Sequence, residues 1–195
     1  MPDPTERPLS LREWVVLCIV CEGPTHGFAL GKLFSRGGSL GRVWQVSRLA
    51  VYGALRRLEQ RGMVQWAGEQ RTNLGPDRSL VTATRAGRKA AREWLRKPVA
   101  HGRDVRSELL MKLALLDRAG ADPRQLLRDQ RAEFAPLAAV LADRVQVTTG
   151  MEHTLALWRR EAMSATMQFL DEAAGQAELA STPDLGRSSS IPCVT

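Results

Sequence analysis

The chain has 195 residues, 44% of them hydrophobic, and a net charge of +7, enough for one large domain or two small ones and in favour of an anionic partner. Its three cysteines are too few for a disulfide framework. No apolar run approaches the ~20 residues of a membrane span, and the polar start MPDPTERP does not read as a secretory leader, so the expectation is a cytoplasmic protein with no membrane partner.

The charge is uneven. Residues 1–97 carry 17 Lys+Arg and 8 Asp+Glu, or +9, whereas residues 98–195 carry 11 and 13, or −2. The first half is therefore the candidate nucleic-acid surface.

In chain order, residues 1–8 form a flexible, proline-rich arm. Ser10–Glu22 reads as a first helix, ended by Gly23–Pro24. Thr25 or His26 starts a second helix that carries Phe28, Leu30, Leu33 and Phe34 toward the core, and Gly37, Gly38 and Gly41 make a flexible turn. Ser47 caps a third helix with a packed face of Val51, Leu55 and Leu58. Gly62 stops it, and Met63–Ala67 and Ser79–Ala83 form a hairpin turned at Gly75–Pro76. Thr84 caps a fourth helix, closed by Pro98. Three helices followed by a basic hairpin describe a winged helix-turn-helix over residues 9–97.

The rest is helical. Arg103–Leu116, Pro123–Val147 and Glu152–Ala174 carry apolar stripes, with Pro136 inside the second. In the last, Leu155, Trp158, Ala162, Ala165 and Phe169 recur at 3, 4, 3, 4, the spacing of a short coiled-coil seam. These helices are expected to bury their seams against each other and against a second subunit, giving a dimerisation domain over 103–176. Residues 177–195 lack periodicity and read as a flexible tail. The fold class is mainly α with a small β-hairpin wing.

The candidate DNA-binding residues lie on the third helix and the wing. Arg48, Tyr52 and Arg56 share a face at i, i+4 and i+8. Arg48, early in the helix, can bind guanine bidentately, and Tyr52 and Arg56 can hold phosphates. Arg57 and Arg61 read as solvent or ion-pair residues with Glu59 and Glu69. Arg71 and Arg78 flank the hairpin tip, with Thr72 and Asn73 between them, and a basic tip can enter a narrow minor groove. Cys18 and Cys21 form a C-x-x-C, but the segment is apolar and core packing is the plainer reading. His26 reads as a cap of the second helix. Neither a metal site nor a cofactor is expected, and no catalytic constellation is present, so the chain does not read as an enzyme.

Three segments together resemble the PadR family of transcriptional regulators: LSLREWVVLCIVCEGPTHGFALGKL, VWQVSRLAVYGALRRLEQRGMV and ATRAGRKAAREWL. The specific part is the run Gly23, Pro24, His26, Gly27, Phe28 ahead of a Tyr-x-x-Leu-x-x-Leu helix. The resemblance extends from residue 9 to about 175, through RSELLMKLALLDR in the helical half. It implies a dimer that binds a palindromic double-stranded DNA operator, usually to repress, with Ser47, Arg48, Leu49 and Tyr52 facing DNA. Many members have a small residue and then Ser or Thr where this chain has Leu49 and Ala50, so the base preference is expected to differ. Some members hold flat apolar ligands between tryptophans at the dimer interface. Trp14 and Trp158 are the corresponding candidates for a small aromatic or apolar effector, beside their reading as core and interface packing. The alternative is a winged-helix protein-interaction adaptor without sequence-specific DNA binding.

Overall fold

Caps and apolar spacing set the elements of the computed structural model, which describes residues 7–71 and 78–181. Helix α1 (Leu11–Glu22) starts where the Glu13 carboxylate accepts from the Ser10 N–H at 2.6 Å and the Ser10 hydroxyl at 2.8 Å. Val15 to Val20 are all buried, so α1 is the central rod of the first core. Helix α2 (Gly27–Leu33) and helix α3 (Arg48–Gln60) pack on each other, and α3 also packs on α1.

The turn between α2 and α3 is tight, not the flexible one that its glycines imply. A Cβ at Gly38 would stand 2.2 Å from the Leu33 carbonyl oxygen, and one at Gly41 would stand 1.8 Å from that of Ser35. The glycines are there for close backbone approach.

Strands β1 (Val64–Gln70) and β2 (Arg78–Ala83) pair antiparallel from Val64↔Ala83 to Gln70↔Arg78. A bulge falls between Trp66 and Glu69, at Gly68 with φ 106°. Thr25 adds an isolated bridge to Val81 (N···O 3.0 and 2.7 Å), so the chain between α1 and α2 is stitched to the wing. The expected turn at Gly75–Pro76 lies outside the described residues. Thr84 then caps α4 (Arg85–Arg96) by accepting from the Gly87 N–H at 3.1 Å.

A 3₁₀ turn (Gly102–Asp104) and one π-helical turn (Val105–Leu109) lead into α5 (Leu110–Arg118). The sequence pattern reads all of this as one helix. Met111 and Leu115 point into the winged-helix core, while Leu109, Leu113 and Leu116 point into the second core, built with Leu126, Leu127, Phe134, Met163 and Leu170. The π turn, with one extra residue, falls at the start of this two-sided segment.

Helices α6 (Arg124–Val147) and α7 (Gly150–Ser181) form the antiparallel pair of the second half, with Pro136 inside α6. Helix α7 runs past residue 176, where the apolar periodicity stops. Its buried positions are Ala156, Met163 and Leu170, a seven-residue repeat one position out of step with the expected seam. Among the described residues no helix is long and apolar enough to cross a membrane.

Gln130 of α6 is wholly buried. It accepts from the Val99 N–H at 2.7 Å and donates to the Val99 carbonyl at 2.9 Å. Both polar groups of that linker residue are thus satisfied by one side chain. Gln130→Leu leaves them unpaired and is expected to cost about 1–3 kcal/mol or more in a urea or guanidinium unfolding curve. A variant as stable as the parent refutes the clamp.

Candidate nucleic-acid interface

Ser47 starts α3 by accepting from the Ala50 N–H at 3.3 Å. Val51, Ala54, Leu55 and Leu58 are buried and fix the back of the helix. The front is open: Ser47, Arg48, Leu49, Tyr52 and Arg56 are all exposed, Leu49 at 83%. Among the described residues, little covers this leucine at the first turn of the helix.

Helix α2 determines where that front points. A Cβ at Gly27 would meet the Tyr52 ring at 2.4 Å, and one at Gly31 would lie 3.3 Å from Cγ of Arg48. Two glycines one turn apart thus accept two α3 side chains one turn apart, Tyr52 and Arg48. The helices approach by way of side chain on backbone.

Phe28 does not enter the core. It precedes Leu30 by two residues, about 200° around a helix, and is 43% exposed. Its ring carries two cations, with the Arg48 Cζ 4.9 Å and the Arg78 Cζ 5.0 Å from the centroid. Arg78 also lies 3.3 Å from His26 Nε2. Because His26 Nδ1 accepts the Ala29 N–H at 3.1 Å, the neutral ring carries its proton on Nε2. The Arg78 contact is then donor against donor, a juxtaposition and not a hydrogen bond. Partial burial first, and the positive Arg78 second, hold His26 below the usual histidine range.

The other expected residues are spread more widely. Arg71 is exposed just beyond the end of β1, and Thr72 and Asn73 lie outside the described residues. Arg78 opens β2 in the last strand pair before the tip, Gln70↔Arg78, with its side chain turned onto Phe28 of α2. Arg57 and Arg61 do not pair with Glu59 or Glu69 as anticipated. Arg57 binds the buried Glu13 of α1, and Arg61 donates to the Arg7 carbonyl. Burial alone would push the Glu13 carboxyl up, but the bonds from Ser10 and Arg57 outweigh it and hold it below the usual range.

Trp14 and Trp158 occupy different surroundings. Trp14 stacks on Trp94, centroids 5.6 Å apart and planes 5° apart, at the edge of the first core. Trp158 is 67% exposed on α7. Ala162 is exposed as well, and Leu155 and Phe169 are half-buried. Cys18 is buried and Cys21 partly so, and burial pushes both thiols up, as core residues. Among the described residues no group of His, Cys, Asp and Glu could hold a metal ion. A cavity of about 800 Å³ lies between the end of α1, α2 and the glycine turn, with Ile19, Ala29, Leu33 and Lys32 in its wall and the Glu22–Arg118 pair at its edge.

Residues 16–93 match the Transcriptional regulator PadR-like family. That span holds α2, α3, the hairpin and most of α1 and α4. Among solved structures, Bacillus subtilis PadR in complex with operator DNA is 16% identical with a TM-score of 0.45, covering 86% of this chain and 99% of that one. The same protein in complex with p-coumaric acid is 15% identical with a TM-score of 0.38, over 91% and 99%. The Vibrio cholerae virulence activator AphA is 24% identical with a TM-score of 0.36, over 88% and 100%. No curated protein matches this chain.

Two outcomes follow from this geometry. Alanine at Gly27 is expected to displace the Tyr52 ring and leave stability within about 1 kcal/mol, because the ring is a movable end and alanine favours the helix. Tyr52 is the only tyrosine, so its ring resonances report directly; unmoved resonances count against the contact. The His26 cap, in turn, needs neutral imidazole. With its folded pKa lowered, its contribution is present above the unfolded value near 6.5 and declines as pH falls below that. His26→Asn keeps a capping oxygen and is expected to lessen the fall in urea midpoint between pH 7.5 and 5.5. Identical pH profiles speak against the assignment.

Proposed function

We propose that this chain, whose residues 16–93 match the PadR-like family of transcriptional regulators, is a dimeric repressor reading a palindromic operator. The observation that carries this is the front of α3. Arg48, Leu49, Tyr52 and Arg56 face solvent on a helix whose other side is buried, within the half of the chain that bears +9. Arg48 is placed to reach base edges from the first turn, with Tyr52 and Arg56 on the phosphates. Arg71 extends the basic surface along the wing, and Thr72 and Asn73 continue it in sequence.

A second copy of the chain is the partner we infer for the open apolar side of α6 and α7. Val140, Val147, Met151 and Trp158 are exposed there, and Leu155, Ala162, Ala165 and Phe169 are the other positions of the expected seam. Such a patch favours association. A dimer through these helices sets two recognition helices about one DNA turn, ~34 Å, apart. A small aromatic or apolar effector would act by shifting that spacing. The cavity beside Arg118 has the size and mixed wall of a ligand site, and Trp158 remains the candidate at the subunit interface.

Selection of bound DNA from a random pool is the test. The expected outcome is a palindrome bound by two chains, with Arg71→Ala weakening all sequences alike and reducing the salt slope by about one. In a reporter carrying that palindrome, the intact protein is expected to lower transcription. Failure to enrich any motif at moderate salt would favour the protein-interaction adaptor.

A further inference from the structure

Two positive side chains from different elements share one ring on the front of the molecule. Arg48 belongs to α3 and Arg78 to β2, and between them stands Phe28 of α2, at 4.9 and 5.0 Å from the two guanidinium carbons. Both distances are within the range of cation–π attraction. Among the described residues neither arginine forms an ion pair with a carboxylate. Two like charges are thus gathered with a ring, and no anion, to hold them.

The surroundings limit where these side chains can go. Gly31 leaves room for the Arg48 stem, whose Cγ would stand 3.3 Å from a Cβ at that site, closer than ordinary packing. His26 stands 3.3 Å from Arg78 and 6.3 Å, ring to ring, from Phe28. The backbone bridge Thr25↔Val81 ties the chain just before α2 to β2, the strand that carries Arg78. Phe28 is therefore anchored to the wing through the main chain and to α3 through its ring.

We propose that Phe28 is a specificity-determining, positioning residue of the DNA face. Its ring fixes the direction of Arg48, the candidate base reader, and joins it to Arg78, so that recognition helix and wing engage DNA as one unit. The gathered pair of guanidinium groups then meets its counter-charge only when phosphate or a guanine edge arrives. This rests on the DNA-binding reading of the same surface.

The experiment uses the full-length protein and the DNA sequence selected by the parent. Phe28→Leu is expected to reduce the ratio of specific to non-specific affinity by roughly five- to thirtyfold, the combined scale of two exposed cation–π contacts. Its thermal midpoint falls by no more than the few degrees that losing two such contacts costs, and its salt slope on non-specific DNA stays that of the parent. Phe28→Tyr, which keeps the ring, restores the ratio. In the parent, Arg78→Ala also relaxes the base preference at the Arg48 position; in Phe28→Leu it adds no further relaxation there. An unchanged ratio in Phe28→Leu, with the parent still binding its selected site, overturns this proposal alone. A uniform loss on all DNA with a lowered thermal midpoint, not rescued by Tyr, also overturns it, since that is a packing role. A parent that binds no DNA removes the reading on which it rests.

Discussion

The close approach of α2 to α3 at Gly27 and Gly31 is the constraint on which the DNA face depends. With any Cβ at Gly27 the Tyr52 ring would have to leave, and at Gly31 the Arg48 stem would be crowded. Because the contact is made by backbone on one side, α2 lies low against α3. Its exposed Phe28 then reaches the level of the recognition side chains. The buried faces of the two helices point the other way, into a core centred on α1. One local choice of residue thus determines a distance, the distance determines which side chains meet, and those side chains define the charged surface.

The link between the halves rests on buried polar groups at one end of α5. Lys112 is almost wholly buried, donates to Glu108 at 2.8 Å and to the Lys97 carbonyl at 2.6 Å, and lies 4.6 Å from the Trp94 ring. Burial pulls its ammonium down from the usual lysine range, and Glu108 works against that fall. Trp94 in turn stacks on Trp14 of α1. A charge buried this deeply is tolerated only because it is paired and bonded, so the end of α4 and the start of α5 hold one relative placement.

Much of this was legible in the sequence, where the signal is local. Ser47, Thr84 and His26 cap the helices that their side chains can cap, and the two β-prone segments of the wing pair as an antiparallel hairpin. What could not be read has a common cause in long-range geometry. Arg57 has Glu59 close by in sequence, yet its partner is Glu13 on another helix. Helix α5 feeds two cores, so its apolar residues surround it and give no single stripe. In α7 two apolar faces lie one residue apart, and only the presence of α6 decides that Ala156, Met163 and Leu170 are the ones it covers. Phe28 stays out of the core for a simpler reason: hydrophobicity suggests burial, but helical phase sets it on the opposite side from Leu30. The angle between Phe28 and Leu30 was the available signal.

The attachments between the two halves are not equal in energy, and that orders how the molecule can yield. Gln130 and Lys112 are buried, and breaking either leaves polar groups without water or partner, at about 1–3 kcal/mol for each neutral group and more for the ammonium. Arg118 and Glu22 also join α5 to α1, with Nε 2.8 and 2.9 Å from the two carboxylate oxygens, but both are about one-third exposed. A solvent-accessible pair of this kind contributes only about 0–1 kcal/mol, because water replaces what is lost. This weak attachment is the one at the edge of the 800 Å³ cavity. Among the polar attachments, the Arg118–Glu22 pair beside that cavity is therefore the weakest and those at Val99 and Lys97 the strongest, while Met111 and Leu115 keep α5 packed into the first core.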